Sequence, residues 1–281
     1  MPIIQAGAIE LNYETYGEGE PLLLIMGFGA PGAAWLPILP LLAGFKCIYF
    51  DNRGTGKSAQ PADGYTIAQM AEDASNLLAA LGIARAKVFG ISMGGMIAQE
   101  LTLRHPEQVE KVVLGCTTPG GPLAARPPDA LVDQLMAGLD LATAENPDPA
   151  LDLIMPLLFP EDFIVEHPEL RSFMAAGFKM GEPTPRATLE RTRAGVTDFD
   201  ASDRLNQIKC PVLIVHGDKD VLTLPENVPI FQERIPHAEV VMVPNAGHSF
   251  AAVDPIGIHK RITDWLKNGT TEETAANLTE N

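Results

Sequence analysis

The sequence predicts an α/β protein: a mostly parallel, doubly wound sheet with one inserted helical segment. Three observations carry this. Short, continuously apolar runs bounded by Gly, Asn, Asp or Pro recur with helical patterns between them, the mark of strands buried on both faces. The alternation stops near residue 120 and resumes near residue 206, and the stretch between holds 10 of the 24 prolines and no convincing strand. At 281 residues, 46% of them apolar, the chain is long enough for one large domain with an insertion.

Residues 22–26, 47–50, 87–91 and 109–114 read as the first strands. Between the second and third, Ile67, Met70, Ala71, Ala74, Leu77, Leu78 and Leu81 follow the three-and-four spacing of one buried helix face. Thr66 with Gln69 supplies a capping box and Gly82 a stop. Helical fragments in the insertion are marked by Leu131, Leu135, Met136 and Leu139, then by Leu170, Phe173 and Met174. Residues 212–215 and 239–243 resume the strands, with a helix over 225–235. Asp254-Pro255 reads as the N-cap and first position of a last helix whose core face holds Ile258, Ile262, Trp265 and Leu266. Alternating βα order implies right-handed crossovers and a parallel sheet. The expected organisation is a core domain over 1–119 and 206–267, a helical cap over 120–205, and a disordered polar tail over 268–281.

Composition narrows the partners. Lys plus Arg total 20 against 36 Asp plus Glu, a net charge of −16. Nucleic acid and anionic membrane demand clustered basic residues, so neither is expected. No apolar run approaches the roughly 20 residues of a membrane-spanning helix. The first five residues carry no basic n-region, so a cytoplasmic location is expected. Cys47, Cys116 and Cys210 sit in or directly before apolar runs and read as reduced, buried, small hydrophobes. No CxxC or Cys/His cluster suggests a metal, and none is expected.

The chemistry centres on Gly90-Ile91-Ser92-Met93-Gly94, a GxSxG match between a strand and the helical pattern that begins at Met96. A strand, a sharp turn and a helix would present the Ser92 hydroxyl at the carboxyl edge of the sheet, and a Cβ at either glycine would crowd the turn. The following helix N-terminus favours negative charge developing there. A serine needs a general base. His248, in Asn245-Ala246-Gly247-His248, follows a strand and so lies at the edge where sites in open α/β sheets form. His105, His167, His237 and His259 fit that position less well, and His216 reads as structural. The base needs an acid that fixes its tautomer. Gly217-Asp218-Lys219-Asp220 offers two, and Asp220 is preferred because it lies farther beyond the strand end. The backbone N–H of Met93, next to the nucleophile, is one expected oxyanion donor.

These residues, together with Met26-Gly27-Phe28-Gly29 and Asp51-Asn52-Arg53-Gly54-Thr55-Gly56-Lys57-Ser58, give a chain that resembles the α/β-hydrolase superfamily over roughly residues 9–267. The likeness is to its serine esterase, enol-lactonase and haloperoxidase-like branch with a helical cap. It implies the α/β-hydrolase fold, no cofactor, and a nucleophile–acid–base order of Ser92, Asp220 and His248. The family places the acid last in a Gly-x-x-Asp turn, which supports Asp220. The resemblance also implies the Phe28 N–H as the second oxyanion donor. This chain has Met26-Gly27 where the family usually has His-Gly, which removes a polar side chain that braces the loop. Gly54 to Ser58 looks like the end of a phosphate-binding loop, but position 51 is Asp where that motif needs Gly, so a structural turn is expected.

The insertion supplies Met136, Met155, Leu157, Leu158, Phe159, Phe163, Phe173, Met174, Phe178 and Met180, some of which must roof the serine. An apolar roof suits a neutral ester or lactone; no Arg or Lys stands out as a carboxylate clamp, and Arg126, Arg171 and Lys179 are left open for that role. The expected activity is carboxylic-ester hydrolysis on short to medium acyl chains. Enol-lactone hydrolysis, carbon–carbon bond hydrolysis and perhydrolysis stand as alternatives on the same fold, and a non-catalytic receptor as one of another class. Dehalogenation would need a carboxylate where Ser92 stands. Self-association into a homo-oligomer is left open.

Overall fold

The computed structural model describes residues 2–143, 145–180, 183–250 and 257–268, with residues 178–180 described by backbone alone. Its strands are β1 (Ile3–Ala6), β2 (Ile9–Tyr16), β3 (Glu20–Ile25), β4 (Phe45–Phe50), β5 (Ala86–Ile91), β6 (Val109–Gly115), β7 (Val212–Gly217) and β8 (Glu239–Val243). They form one sheet in the order β1-β2-β4-β3-β5-β6-β7-β8. β1 and β2 pair antiparallel, as do β2 and β4, and every pairing from β4 to β8 is parallel.

Each predicted strand forms where its apolar run lies. The sheet also gains the β1–β2 hairpin, whose alternating Ile9-Glu10-Leu11 pattern belongs to a strand with one wet face. The central runs are continuous because both faces are covered. Leu23 and Ile25 face a core shared with helices α1 (Ile67–Ala80) and α2 (Met93–Arg104). Leu22 and Leu24 face the other, with Trp35, Leu39 and Leu42 of two short 3-10 turns. Thr66 caps α1 by accepting from the Gln69 N–H at 3.1 Å, and Gly82 ends it in left-handed backbone at φ 70°.

Among the described residues five α-helices lie between β6 and β7: α3 (Asp129–Leu141), α4 (Asp148–Leu158), α5 (Glu161–Glu166), α6 (Glu169–Met180) and α7 (Arg186–Thr197). They build an apolar cluster of their own from Leu151, Met155, Phe159 and Leu170, so part of what the sequence offered as a roof is interior to the insertion. After β7 come α8 (Val228–Arg234) and α9 (Ile258–Lys267), the latter burying Ile258, Ile262, Trp265 and Leu266 as its spacing predicts. The expected cap at Asp254-Pro255 and, apart from Asn268, the expected tail over 268–281 lie outside the described residues. Among the described residues no helix is long and apolar enough to cross a membrane. Cys47 and Cys116 are buried as expected, whereas Cys210, at the foot of β7, is only half-buried.

The loop after β4 is a structural turn. The Asp51 carboxylate accepts from the Asn12 side-chain amide (2.7 Å) and from the N–H groups of Gly32 (2.7 Å) and Lys57 (2.9 Å). Next to it the buried Arg53 guanidinium forks onto Asp73 at 2.6 and 2.7 Å and donates to the Gly64 carbonyl at 2.8 Å. Removing one partner of a buried pair strands the other charge. Arg53→Met is therefore expected to destabilise the protein by about 3–5 kcal/mol in urea unfolding, with much of the loss recovered in Arg53→Met/Asp73→Leu.

Candidate active site

The turn from β5 into α2 is set by close backbone approach. A Cβ on Gly90 would lie 2.1 Å from the Gly94 carbonyl oxygen, and one on Gly94 would lie 2.1 Å from that of Ile25. With both positions bare, Ser92 is driven to φ 55°, ψ −124°, a conformation L residues avoid, as the N-cap of α2. Its N–H donates to the Gly115 carbonyl (2.9 Å) and its carbonyl accepts from the Thr117 hydroxyl (2.7 Å), which ties the turn to β6. A Cβ on Gly27 would stand 3.1 Å from Ser92 Cβ, so the Gly27-Phe28 loop runs against the serine. Met93 follows as the first residue of α2.

The acid and base loops are tied together in the same manner. A Cβ on Gly217 would meet the Ala246 and Gly247 carbonyl oxygens at 2.3 and 2.4 Å, and the Lys219 N–H donates to the Ala246 carbonyl at 2.9 Å. Asp220 is buried, and Asp218 is exposed. Asp220 Oδ1 accepts from the N–H groups of Leu222 (2.8 Å) and Thr223 (2.9 Å), while Oδ2 accepts from the Thr223 hydroxyl (2.7 Å). His248 Nδ1 meets Oδ2 at 2.8 Å. Burial pushes the Asp220 carboxyl up. The attraction of His248, its hydrogen bond, the nearby His216 and the Thr223 amide outweigh that and hold the acid below the ordinary carboxylate range. An ionised carboxylate offers only lone pairs, so Nδ1 carries the ring proton and Nε2 is left as the acceptor. His216, fully buried, donates Nε2–H to the Thr223 carbonyl at 2.5 Å, and burial holds its pKa below the ordinary imidazole range. It braces the acid loop.

Ser92, Phe28 and His248 line one cavity of about 380 Å³, with Met26, residues 29–31 and 33–38, Leu135, Leu139, Leu158, Phe173 and Met174 among its walls. Among the described residues no Asp, Glu, Lys or Arg lines it. Arg171 is paired with Asp148 (2.9 Å) and Asp152 (2.8 Å), and Arg126 faces the Gly121 and Thr197 carbonyls, so neither acts as a clamp on this cavity. The side chains of Phe178, Lys179 and Met180 lie outside the described residues. The sequence pattern marks neither Thr223 nor the short turns over 32–42. The threonine could have been found as a hydroxyl three residues beyond the acid.

A family model described as alpha/beta hydrolase fold matches residues 20–255. RutD of Azorhizobium caulinodans, named as a carbamate hydrolase, is 30% identical over 256 residues, covering 91% of this chain and 94% of its own. BpoC of Mycobacterium tuberculosis H37Rv, named as a non-heme bromoperoxidase, is 32% identical over 254 residues, covering 85% and 91%. Its crystal structure superposes with a TM-score of 0.75, over 92% of this chain and 95% of that one. The enol-lactonase of Burkholderia xenovorans LB400 shares the fold at a TM-score of 0.81 and 24% identity, over 95% of this chain and all of its own.

A fluorophosphonate is expected to label Ser92 and to leave folded Ser92→Ala unmodified. Asp220→Asn, which would put the wrong tautomer on His248, should slow labelling by about 10⁴-fold. Asp218→Asn, at an exposed position, should change it by less than about twofold.

Proposed function

The chain belongs to the alpha/beta hydrolase fold family, and on that premise we propose that it is a carboxylic-ester hydrolase for neutral, short to medium acyl esters. One observation carries the proposal: the strained Ser92 and an Asp220-bound His248 line the same cavity, whose described walls are largely apolar. Ser92 Oγ attacks the ester carbonyl while His248 Nε2 takes its proton, and Asp220 stabilises the imidazolium from the Nδ1 side. The N–H groups of Phe28 and Met93 hold the tetrahedral oxyanion. His248 then protonates the leaving alcohol, and the acyl-enzyme is released by water activated on the same nitrogen. A lactone satisfies the same requirements, since it is an ester closed on itself. The insertion α3–α7 serves as the cap, and the substrate is a small molecule with no cofactor.

The likeness to BpoC favours a second reading, perhydrolysis, in which hydrogen peroxide replaces water on the acyl-enzyme and releases a peracid. Both share the first half of the reaction.

Turnover of p-nitrophenyl esters from acetate to palmitate tests the proposal. Rates should peak at short to medium chains, and Ser92→Ala should abolish them. Peracid formed from acetate and peroxide at a rate exceeding ester hydrolysis would favour the second reading. A folded protein that turns over no ester or lactone would overturn the first.

A further inference from the structure

Cys116 follows β6 at φ 38°, left-handed backbone that L residues rarely hold, with 2% of its surface exposed. Its carbonyl oxygen lies 2.8 Å from the Thr223 hydroxyl oxygen, which places the residue beside the acid loop. Cys116 Sγ and one ligand atom each of Asp220 and His248 lie within 4.8 Å of one another, and the described residues hold no other His, Cys, Asp or Glu group so arranged. The proposed hydrolysis makes no use of the thiol. We propose that Cys116, Asp220 and His248 form a binding site for a thiophilic divalent cation, zinc or cadmium, and that the bound ion shuts the enzyme off.

The donor set is what such ions take. Thiolate, imidazole and carboxylate are the three zinc ligand types, and three protein ligands leave a fourth position for water. Bonds of about 2.0–2.3 Å in a tetrahedron place donor atoms about 3.3–3.6 Å apart. The 2.8 Å between Nδ1 and Oδ2 must therefore open and the sulfur must close in, both modest movements of loop residues. Two anionic donors cancel the charge of the ion, so the assembly enters this buried place as a neutral whole. Cys116, His248 and Ser92 all line the one cavity, which supplies the entry path.

Binding is not a redox step. The Cys116 thiol proton leaves to solvent as the S–metal bond forms. The His248 ring proton leaves Nδ1 for solvent as the N–metal bond forms, and Nε2 takes one up, so the imidazole stays neutral. Its free nitrogen then bears hydrogen and has no lone pair to receive the Ser92 proton. The inhibitory half of this inference rests on the Ser92–His248–Asp220 reading, and the binding half does not.

The test is a cadmium titration of wild type, Ser92→Ala, Cys210→Ala and Cys116→Ala, followed by the ultraviolet thiolate-to-cadmium charge-transfer band. Ester hydrolysis is measured alongside, with EDTA reversal, and zinc is titrated by calorimetry. Wild type, Ser92→Ala and Cys210→Ala should each bind one ion per chain. Cys116→Ala, or Cys116→Ser if the alanine variant unfolds, should lose the band and bind zinc at least about 100-fold more weakly. Cadmium should arrest wild-type hydrolysis and EDTA restore it. A band that survives removal of the Cys116 thiol, or folded wild type that shows none, overturns the site. Binding without arrest of hydrolysis overturns the inhibition alone. Ser92→Ala binds under this inference whether or not the chain proves to be an esterase, so the two readings fail separately.

Discussion

Backbone pressed against backbone at the carboxyl edge of the sheet is the constraint on which the rest depends. Gly90 against Gly94, Gly94 against the Ile25 carbonyl, and Gly217 against Ala246 and Gly247 are approaches that leave no room for a Cβ. The first two fold the β5–α2 turn so tightly that Ser92 is forced out of the common backbone regions. The third packs the end of β7 onto the loop after β8, which brings Asp220 to His248. A side chain at any of these points would separate groups that the chemistry needs within one hydrogen-bond length. Among the described residues the non-glycine positions held at positive φ, Ser92, Cys116 and Asn245, all follow strands at this edge. Strain of that kind persists only where the surroundings over-determine it, as hydrogen bonds to Gly115 and Thr117 do for Ser92.

The electrostatics follow from the same packing. Asp220 is removed from water, which by itself would favour its neutral form. Two amides, one hydroxyl and one imidazole converge on its two oxygens and keep it ionised. Thr223 supplies an amide and a hydroxyl to the acid and is itself steadied through its carbonyl by His216. A buried carboxylate with all its lone pairs engaged is a fixed charge, and a fixed charge sets which nitrogen of His248 holds the proton.

Much of this was legible because the sequence states it locally. Ser92, Asp220 and His248 each stand just beyond an apolar strand run, and the glycines that permit the turns sit beside them. The central strands were legible because burial on both faces makes them continuously apolar, whereas β2, with one face in water, alternates and carries a weaker signal. What could not be read was distance through space. Nothing in the sequence brings Cys116 to Asp220 across 104 positions, or says that Met155 and Phe159 turn into the insertion while Leu158, packed against them, also lines the cavity. Helical spacing marks an apolar face but not the partner that covers it.

The central claim is that Ser92 carries the acyl group between two half-reactions. Partitioning of one acyl group between water and methanol tests it most directly. With p-nitrophenyl, phenyl and ethyl acetates the account predicts the same ratio of methyl acetate to acetate, because every leaving group has departed before the acceptor arrives, and it predicts neither product with Ser92→Ala. A ratio that changes with the leaving group, or turnover that survives the loss of the Ser92 hydroxyl, would contradict it.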